Sequence, residues 1–550
     1  MSAAEQNEKS FEVNEHLASS SPSTSFNAAA AHHHHQDADK ALPNSDVDAA
    51  WLFLNEHRDV VGVDAVDLKK LRSRIDWRIV PIMFGCYTMQ FLDKVIYNAS
   101  ALKAKYMSPN YFIHQYAAVM GIKKDLDLTG NRFSNVATFL FVGLLCFEIP
   151  NIYLLQKVPP AKWLGLNVTL WGVATACGAA AHNYSSILAS RIFLGIFEAT
   201  IAPSLSLISS QWYTKSEQAP RFSFWYLGLG FGQIIGGVLS YAFQHMSPTA
   251  SLAGWRVMFI VLGCITVLIG LCVIVLVPDT PMQARWLSVT EKVALLKHVS
   301  VNQTGIRNSK FRISELVEAV LDLQIWLQIL ITVLFSVSSG VITTYSVMLV
   351  GQITHDAKKT PAQNSQHAAL MNTPSGAVSI FFILMIGYGV RRNSHRWMWI
   401  LACILPAILG GALMSFLPKT NHAGLLAGVY LVNAVVAPMP MQYNWLLANV
   451  AGATKRAYSV AMISAAFSIG NIIGPQTFQA KDAPDYRPAK LALVFTQAGS
   501  ALVTVALFGY YVWANKRRAS RARQTEDQFL DKEVWARMTD KENPTFRYVY

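Results

Sequence analysis

The sequence predicts an all-α membrane protein of twelve transmembrane helices in two six-helix halves. Hydrophobic residues fill 52% of the 550 positions and charged ones only 14%, with a mean hydropathy of +0.29. That is more apolar surface than a soluble core can hide. Twelve apolar runs follow one another, each near the roughly 20 residues a helix needs to cross a bilayer. A polar segment from about Asp279 to Asp322 splits them six and six, which suggests two parallel repeats related by an axis along the membrane normal.

The runs begin near Ile79, Ser134, Trp163, Ser185, Phe222, Trp255, Leu323, Asn372, Trp397, Gly424, Ser459 and Leu491. Residues 1–70 read as a cytoplasmic tail, Ser-, Ala- and Asn-rich to about residue 48 and without periodicity, hence disordered. The run His32 to His35 reads as low complexity within that tail. Residues 71–278 hold the first half, 279–322 a cytoplasmic central loop, 323–514 the second half and 515–550 a cytoplasmic tail. In the central loop, Ser288-Val-Thr-Glu291 is a capping box ahead of a charged amphipathic stretch to about His298. It predicts a short helix along the inner membrane face, tethering the halves.

Orientation follows from lysine and arginine. A cytoplasmic N-terminus puts Lys69, Lys70, Arg72, Arg74 and Arg78, then Lys157, Lys162, Lys215, Arg221, Arg391, Arg392, Arg396, Lys455, Arg456 and the segment Lys516 to Arg523 on the inside. Much of the +13 formal charge therefore does topological work, and nucleic acid is excluded as a partner. The six cysteines lie inside apolar runs without metal-ligand spacing and read as buried hydrophobes. No phosphate cradle, HExxH or nucleophile elbow is present, so primary pumping and hydrolysis are disfavoured and no enzyme is predicted. Twelve helices interrupted by Gly and Pro favour a secondary transporter.

Ionisable residues at membrane depth are confined to the first half: Asp93, Lys94, Glu148, Arg191 and Glu198. A charge in the hydrocarbon region is costly and marks a functional site by default.

Leu188-Ala-Ser-Arg191-Ile-Phe-Leu-Gly195 resembles the Arg-Gly signature of the major facilitator superfamily. Phe91-Leu-Asp93-Lys94, Met120-Gly-Ile-Lys-Lys-Asp-Leu-Asp-Leu-Thr-Gly130, Asn302-Gln-Thr-Gly-Ile306, Asn449-Val-Ala-Gly452 and Gly470-Asn-Ile-Ile-Gly-Pro-Gln476 resemble, in this order, the fungal allantoate permease branch of its anion:cation symporters. The resemblance spans roughly Ile75 to Trp513. It implies the major facilitator fold and proton-coupled uptake of a small organic anion such as allantoate, a carboxylate vitamin or a sulfonate. No cofactor beyond the proton gradient is implied, and the partners are the anion, protons and the lipid bilayer, for a monomer in the plasma membrane. Two departures stand out. Val95 to Gln115 reads as an added outer loop or a retained intron, and Ala453 replaces a His frequent in the family. Gly232-Gln-Ile-Ile-Gly236-Gly237 lacks the proline of an antiporter element and reads as helix packing.

At 1.5 Å per residue, Asp93 and Arg191 both sit roughly 9 Å from the outer side, so they are expected to pair across the first and fourth helices. Glu198 lies about 10 Å deeper than Arg191, level with Glu148. Two carboxyls at one depth cannot both ionise cheaply, so they can hold one proton between them. Asp93, Glu148 and Glu198 are the proton-coupling candidates. Arg191 is the expected partner of the anion, while Lys94 competes unless it snorkels outward. Among neutral groups of the second half, Tyr345, Asn433, Gln442 and Asn444 are the substrate-binding candidates, on helices seven and ten. Pro438, Pro440 and Pro475 are expected to break or kink their helices. A nutrient receptor without turnover, and a carrier of a cationic vitamin, stay open as alternatives.

Overall fold

The computed structural model describes residues 49–99, 122–128, 132–243, 252–300, 311–354, 356, 358–359, 361–477, 487–522, 538–543 and 546–550. Among these, every regular element is a helix. The membrane helices are α1 (Leu68–Ala99), α2 (Arg132–Lys157), α3 (Pro160–Gly178), α4 (Tyr184–Trp212), α5 (Glu217–Ala242), α6 (Gly254–Leu276), α7 (Leu323–Ile353), α8 (Gln366–Asn393), α9 (Arg396–Phe416), α10 (His422–Asn449), α11 (Ala453–Gln476) and α12 (Arg487–Ala522). Among the described residues, the nine from α4 to α12 are long and apolar enough to cross a membrane by length and composition alone. With α1, α2 and α3 they make the expected twelve.

The pairing of helices reveals the repeat. α1 packs on α5, α2 on α4 and α3 on α6, and six helices later α7 packs on α11, α8 on α10 and α9 on α12. The halves meet along two seams, α2 against α11 and α5 against α8, which the same offset of six interchanges.

Small residues set the closest approaches. A Cβ on Gly195 of α4 would overlap the Leu140 carbonyl of α2, and one on Gly143 would come within 2.6 Å of the Ile192 carbonyl. Gly195→Ala is therefore expected to cost about 1–3 kcal/mol by overpacking, read as a lower melting temperature of the purified protein. Gly232 backs onto Thr88 and Leu92 of α1, and Gly237 onto Thr373 of α8, so these glycines do serve helix packing. Gly452, between α10 and α11, has φ +97°, a conformation that strains any side chain.

Helix breaks follow proline. α4 consists of Tyr184–Glu198 and Ile201–Trp212, because Pro203 cannot donate to the carbonyl of Ala199. The Asn151 amide of α2 donates to that freed oxygen at 3.4 Å, while its own oxygen accepts from Trp163 and Thr200, each at 3.1 Å. α10 is broken by a 3₁₀ turn over Asn433–Val436 ahead of Pro438 and Pro440, whereas Pro475 sits one residue from the end of α11.

Four regions differ from expectation. Residues 49–56 form a helix, and α1 starts at Leu68 rather than near Ile79, because Leu71, Ile75 and Ile79 bury one face of a basic amphipathic extension. The capping box of the central loop is present, Ser288 and Glu291 exchanging bonds of 2.9 and 3.2 Å. Its helix, Val289–Ser300, buries Val293, Leu296 and Val299 against the helix Ala49–Glu56 and the adjoining ends of the first half. A second loop helix, Ile313–Val320, precedes α7.

Finally, the expected C-terminal tail begins within α12, and its last residues return to the protein. Backbone oxygens of Val549 and Tyr550 accept bonds from Trp445, Asn449 and Arg396 at 2.8–2.9 Å. Lys455 is fully buried at the start of α11, with Nζ at 2.7, 2.7 and 2.6 Å from Glu318, Asp322 and Asp540. These three carboxylates are close enough for a metal ion, but an ammonium already sits among them. Residues 1–48 with the histidine run, the part of Val95 to Gln115 beyond Ala99, and Asn302 to Ile306 lie outside the described residues.

Candidate functional site

A narrow cavity of about 30 Å³ lies between the halves. Each helix that lines it does so through one face, at helical spacing. α1 contributes Tyr87, Gln90, Phe91 and Lys94; α2 Phe141 and Leu144; α4 Glu198 and Ala202; and α5 Leu229. The second half contributes Ser339 and Thr343 from α7, Met439 and Tyr443 from α10, and Ser464, Phe467 and Asn471 from α11.

Its centre is an ion pair. Lys94 contacts Oε1 of Glu198, an oxygen that also accepts from the Gln90 amide at 2.8 Å. The ammonium lies 5.5 Å from the Phe141 ring centroid and 5.9 Å from that of Phe467, so aromatic faces from both halves flank it. Lys94 thus points inward and does not snorkel: Phe141, Phe467 and Glu198 stabilise the charge where it is. Glu198 is the last residue before the break in α4, and its carboxylate reaches across to α1.

Asp93, one residue earlier, points away from the cavity, as a step of about 100° around the helix requires. Its Oδ2 accepts from Arg191 Nη1 at 2.8 Å, both side chains nearly fully buried, with the guanidinium 5.3 Å from the Phe259 ring of α6. The expected pairing across α1 and α4 is therefore present, and Arg191 is absent from the cavity lining. Breaking a buried pair from one side costs about 3–5 kcal/mol, whereas neutralising both partners costs far less. Arg191→Ala is expected to lower the melting temperature sharply, and Asp93→Asn combined with Arg191→Gln to restore it with transport retained. A stable but transport-dead double variant would return Arg191 to the substrate.

Glu148 is 2% exposed and, among the described residues, has no cation within 4 Å. Ser464 of α11 and Asn151 stand near its carboxyl, though neither makes a hydrogen bond to either oxygen. Glu198 therefore meets Lys94 in place of the expected sharing with Glu148, which instead lies behind the Ser464 wall.

The polar candidates of the second half fall mostly outside the lining. Asn433 accepts from Gln233 of α5 at 3.5 Å and donates to the Val429 carbonyl at 2.9 Å. Gln442 donates to the Gln328 carbonyl at 3.3 Å, and Asn444 accepts from Arg396 at 2.7 Å. The reason is angular: Met439 and Tyr443 form the cavity face of α10, so positions 442 and 444 are each turned about 100° away. Tyr345 is half-buried outside the cavity, while Thr343, two residues earlier, lines it. Gln90, Ser339, Tyr443 and Ser464 escaped sequence reasoning. Spacing of three, four or seven residues from Lys94 would have found Tyr87, Gln90 and Phe91, but nothing in one sequence says which face of α7, α10 or α11 turns inward.

The sequence profile of the Major Facilitator Superfamily matches residues 107–475. The Thiamine pathway transporter THI73 of Saccharomyces cerevisiae is 34% identical over 496 residues, 90% of this chain and 89% of that protein. The Allantoate permease of the same yeast is 29% identical over 519 residues, 91% of this chain and 90% of that protein. Among solved structures, the proton:xylose symporter XylE superposes with a TM-score of 0.58 at 14% identity, covering 80% of this chain and 96% of that one. The human organic anion transporter MFSD10 gives 0.52 at 13% identity, covering 78% and 99%.

Proposed function

Since the chain belongs to the Major Facilitator Superfamily, and is a multi-pass membrane transporter rather than an enzyme, we propose that it is a proton-coupled symporter of a small organic anion in the plasma membrane, with both termini cytoplasmic. The observation that carries this reading is the Lys94–Glu198 pair inside the cavity between the halves.

With Glu198 ionised, the two charges satisfy each other and an anion gains nothing by entering. A proton on Glu198 leaves the Lys94 ammonium uncompensated in a poorly solvated wall, and the carboxylate or sulfonate of a substrate takes the place Glu198 held. The empty site (Lys94 cationic, Glu198 anionic) and the loaded site (Lys94 cationic, Glu198 neutral, anion bound) are both net neutral. Proton alone or anion alone leaves a buried net charge, so the rocking of the halves is cheap only for the empty and fully loaded carrier. Linkage makes the coupling reciprocal: protonation raises anion affinity by the factor by which the anion raises proton affinity. Gln90, Ser339, Thr343 and Asn471 supply hydrogen bonds to the rest of the substrate, and Phe141 and Phe467 supply apolar faces. In this scheme the anion-binding role passes from Arg191 to Lys94. Asp93 holds Arg191, and Glu148 is a second proton acceptor.

One proton with one monoanion moves no net charge, so accumulation driven by voltage, worth about 2.3 kcal/mol per charge per 100 mV, requires a second proton. Glu148 provides a place for it. The test is uptake into proteoliposomes under an inward proton gradient, screened across ureides, carboxylate vitamins and sulfonates. At least one anion should accumulate and be released by a protonophore. Accumulation of cations only, without alkalinisation of the medium, would favour a cationic vitamin instead. Binding without counterflow would mark a receptor.

A further inference from the structure

The two helices of the central loop are built in opposite senses. Val289–Ser300 turns its apolar residues into the protein. Ile313–Val320 does the reverse: Glu315 and Ala319 are buried, while Ile313, Val317, Val320 and Leu321 are 71, 51, 41 and 74% exposed. Those four positions, at i, i+4, i+7 and i+8, form one continuous stripe.

The rotation of this helix is fixed by its polar face. Oε2 of Glu315 accepts the backbone N–H of Thr454 at 2.9 Å and of Lys455 at 3.4 Å, capping the first turn of α11, where a carboxylate also meets the positive end of the helix dipole. Glu318 takes Lys455 Nζ at 2.7 Å. Both acidic side chains are thus committed to the protein, and the apolar stripe has no protein to cover it among the described residues.

Continuity names what covers it. Leu321 and Asp322 lead directly into α7, whose exposed Leu323, Trp326 and Leu330 carry the apolar surface into a helix long enough to cross the membrane. Trp326 Nε1 donates to the Val320 carbonyl at 2.7 Å, tying the short helix to α7 at a tryptophan, the residue favoured at the boundary between headgroups and acyl chains. At the other end, Phe311 packs against Tyr153 of α2, the rings tilted by 57° with centroids 6.1 Å apart. The helix therefore bridges the α2–α11 seam at its loop-side end.

We propose that Ile313–Val320 is an interfacial membrane helix, its stripe of Ile313, Val317, Val320 and Leu321 immersed in the lipid leaflet next to the central loop while Glu315 and Glu318 hold the start of α11. Lipid packing in that leaflet then bears on a seam between the halves.

The test uses the full chain in proteoliposomes, with the exposed cysteines Cys146, Cys177, Cys264 and Cys272 changed to alanine. A nitroxide is placed in turn by Val317→Cys, Leu321→Cys, Leu330→Cys and Lys297→Cys. Leu330 serves as the acyl-chain reference and exposed Lys297 as the aqueous one. Labels at 317 and 321 should collide with oxygen in preference to a water-soluble nickel chelate, with a ratio near that at 330. A ratio near that at 297 would place the stripe in water and overturn the proposal. Weak collision with both reagents would mean that protein covers it, and would overturn the proposal equally.

Discussion

Lys94→Gln is expected to abolish concentrative uptake of whichever anion the screen identifies. Losing one partner of a fully desolvated, hydrogen-bonded charge pair costs about 2–5 kcal/mol, or roughly 30- to 4,000-fold in affinity. Part of that loss would come from Glu198 left buried without its cation, so the single variant alone is ambiguous. The double variant Lys94→Gln with Glu198→Gln removes the orphan and should recover surface expression and melting temperature. It should still not bind the anion, because no ammonium is left in the lining. Recovered anion uptake in the double variant would exclude Lys94 as the anion's partner. Uptake of a cation by it would reverse the sign of the substrate.

Glu198→Gln alone has a different expected signature. Glutamine mimics the protonated carboxyl, so Lys94 is permanently available to the anion. Affinity should then be high and flat with pH, unlike that of a site that must take up a proton before the anion. Exchange of labelled for unlabelled anion should continue, since the loaded carrier remains net neutral. Net accumulation should fail, since the empty carrier now returns with Lys94 uncompensated at a cost of several kcal/mol. Counterflow at or above the wild-type rate with no pH-driven accumulation is the outcome the scheme requires. Accumulation that still follows the proton gradient would move the coupling proton to Glu148.

The fold was legible because it rests on one-dimensional signals. Twelve apolar runs, the split at Asp279 to Asp322 and the capping box at Ser288 all appear where hydropathy and turn chemistry place them. The Asp93–Arg191 pair followed from depth alone, since 1.5 Å per residue sets height along a helix without any knowledge of its rotation. What height cannot supply is azimuth. Asp93 and Lys94 are neighbours in sequence yet serve different helices, and Gln442 and Asn444 flank the cavity residue Tyr443 without joining it. In a helix polar enough to read as a substrate surface, the inward face is chosen by packing between the halves, and Gly230, Gly237 and Gly376 on the α5–α8 seam set that packing through contacts far apart in sequence. The tertiary contacts of two segments escaped the sequence for a related reason. The stretch 289–300 and the described residues of 538–550 are amphipathic or polar enough to read as interface helix and tail, and their partners lie far away in sequence.

The Lys455 site also sets an order of assembly. Its three carboxylates come from residues 318, 322 and 540, and the neighbouring ends of α9 and α10 are capped by the backbone of 549 and 550. A ribosome delivers α11 with its ammonium well before it delivers Asp540. In the interval the nascent second half holds the Lys455 ammonium against two carboxylates instead of three, and the ends of α9 and α10 lack the backbone acceptors that Arg396, Trp445 and Asn449 meet in the finished fold. Among the described residues the charged pairs of the first half close within residues 68–298, so that half can mature during synthesis. The second half can close these contacts only once residues 538–550 have been made, so its packing completes later than that of the first half.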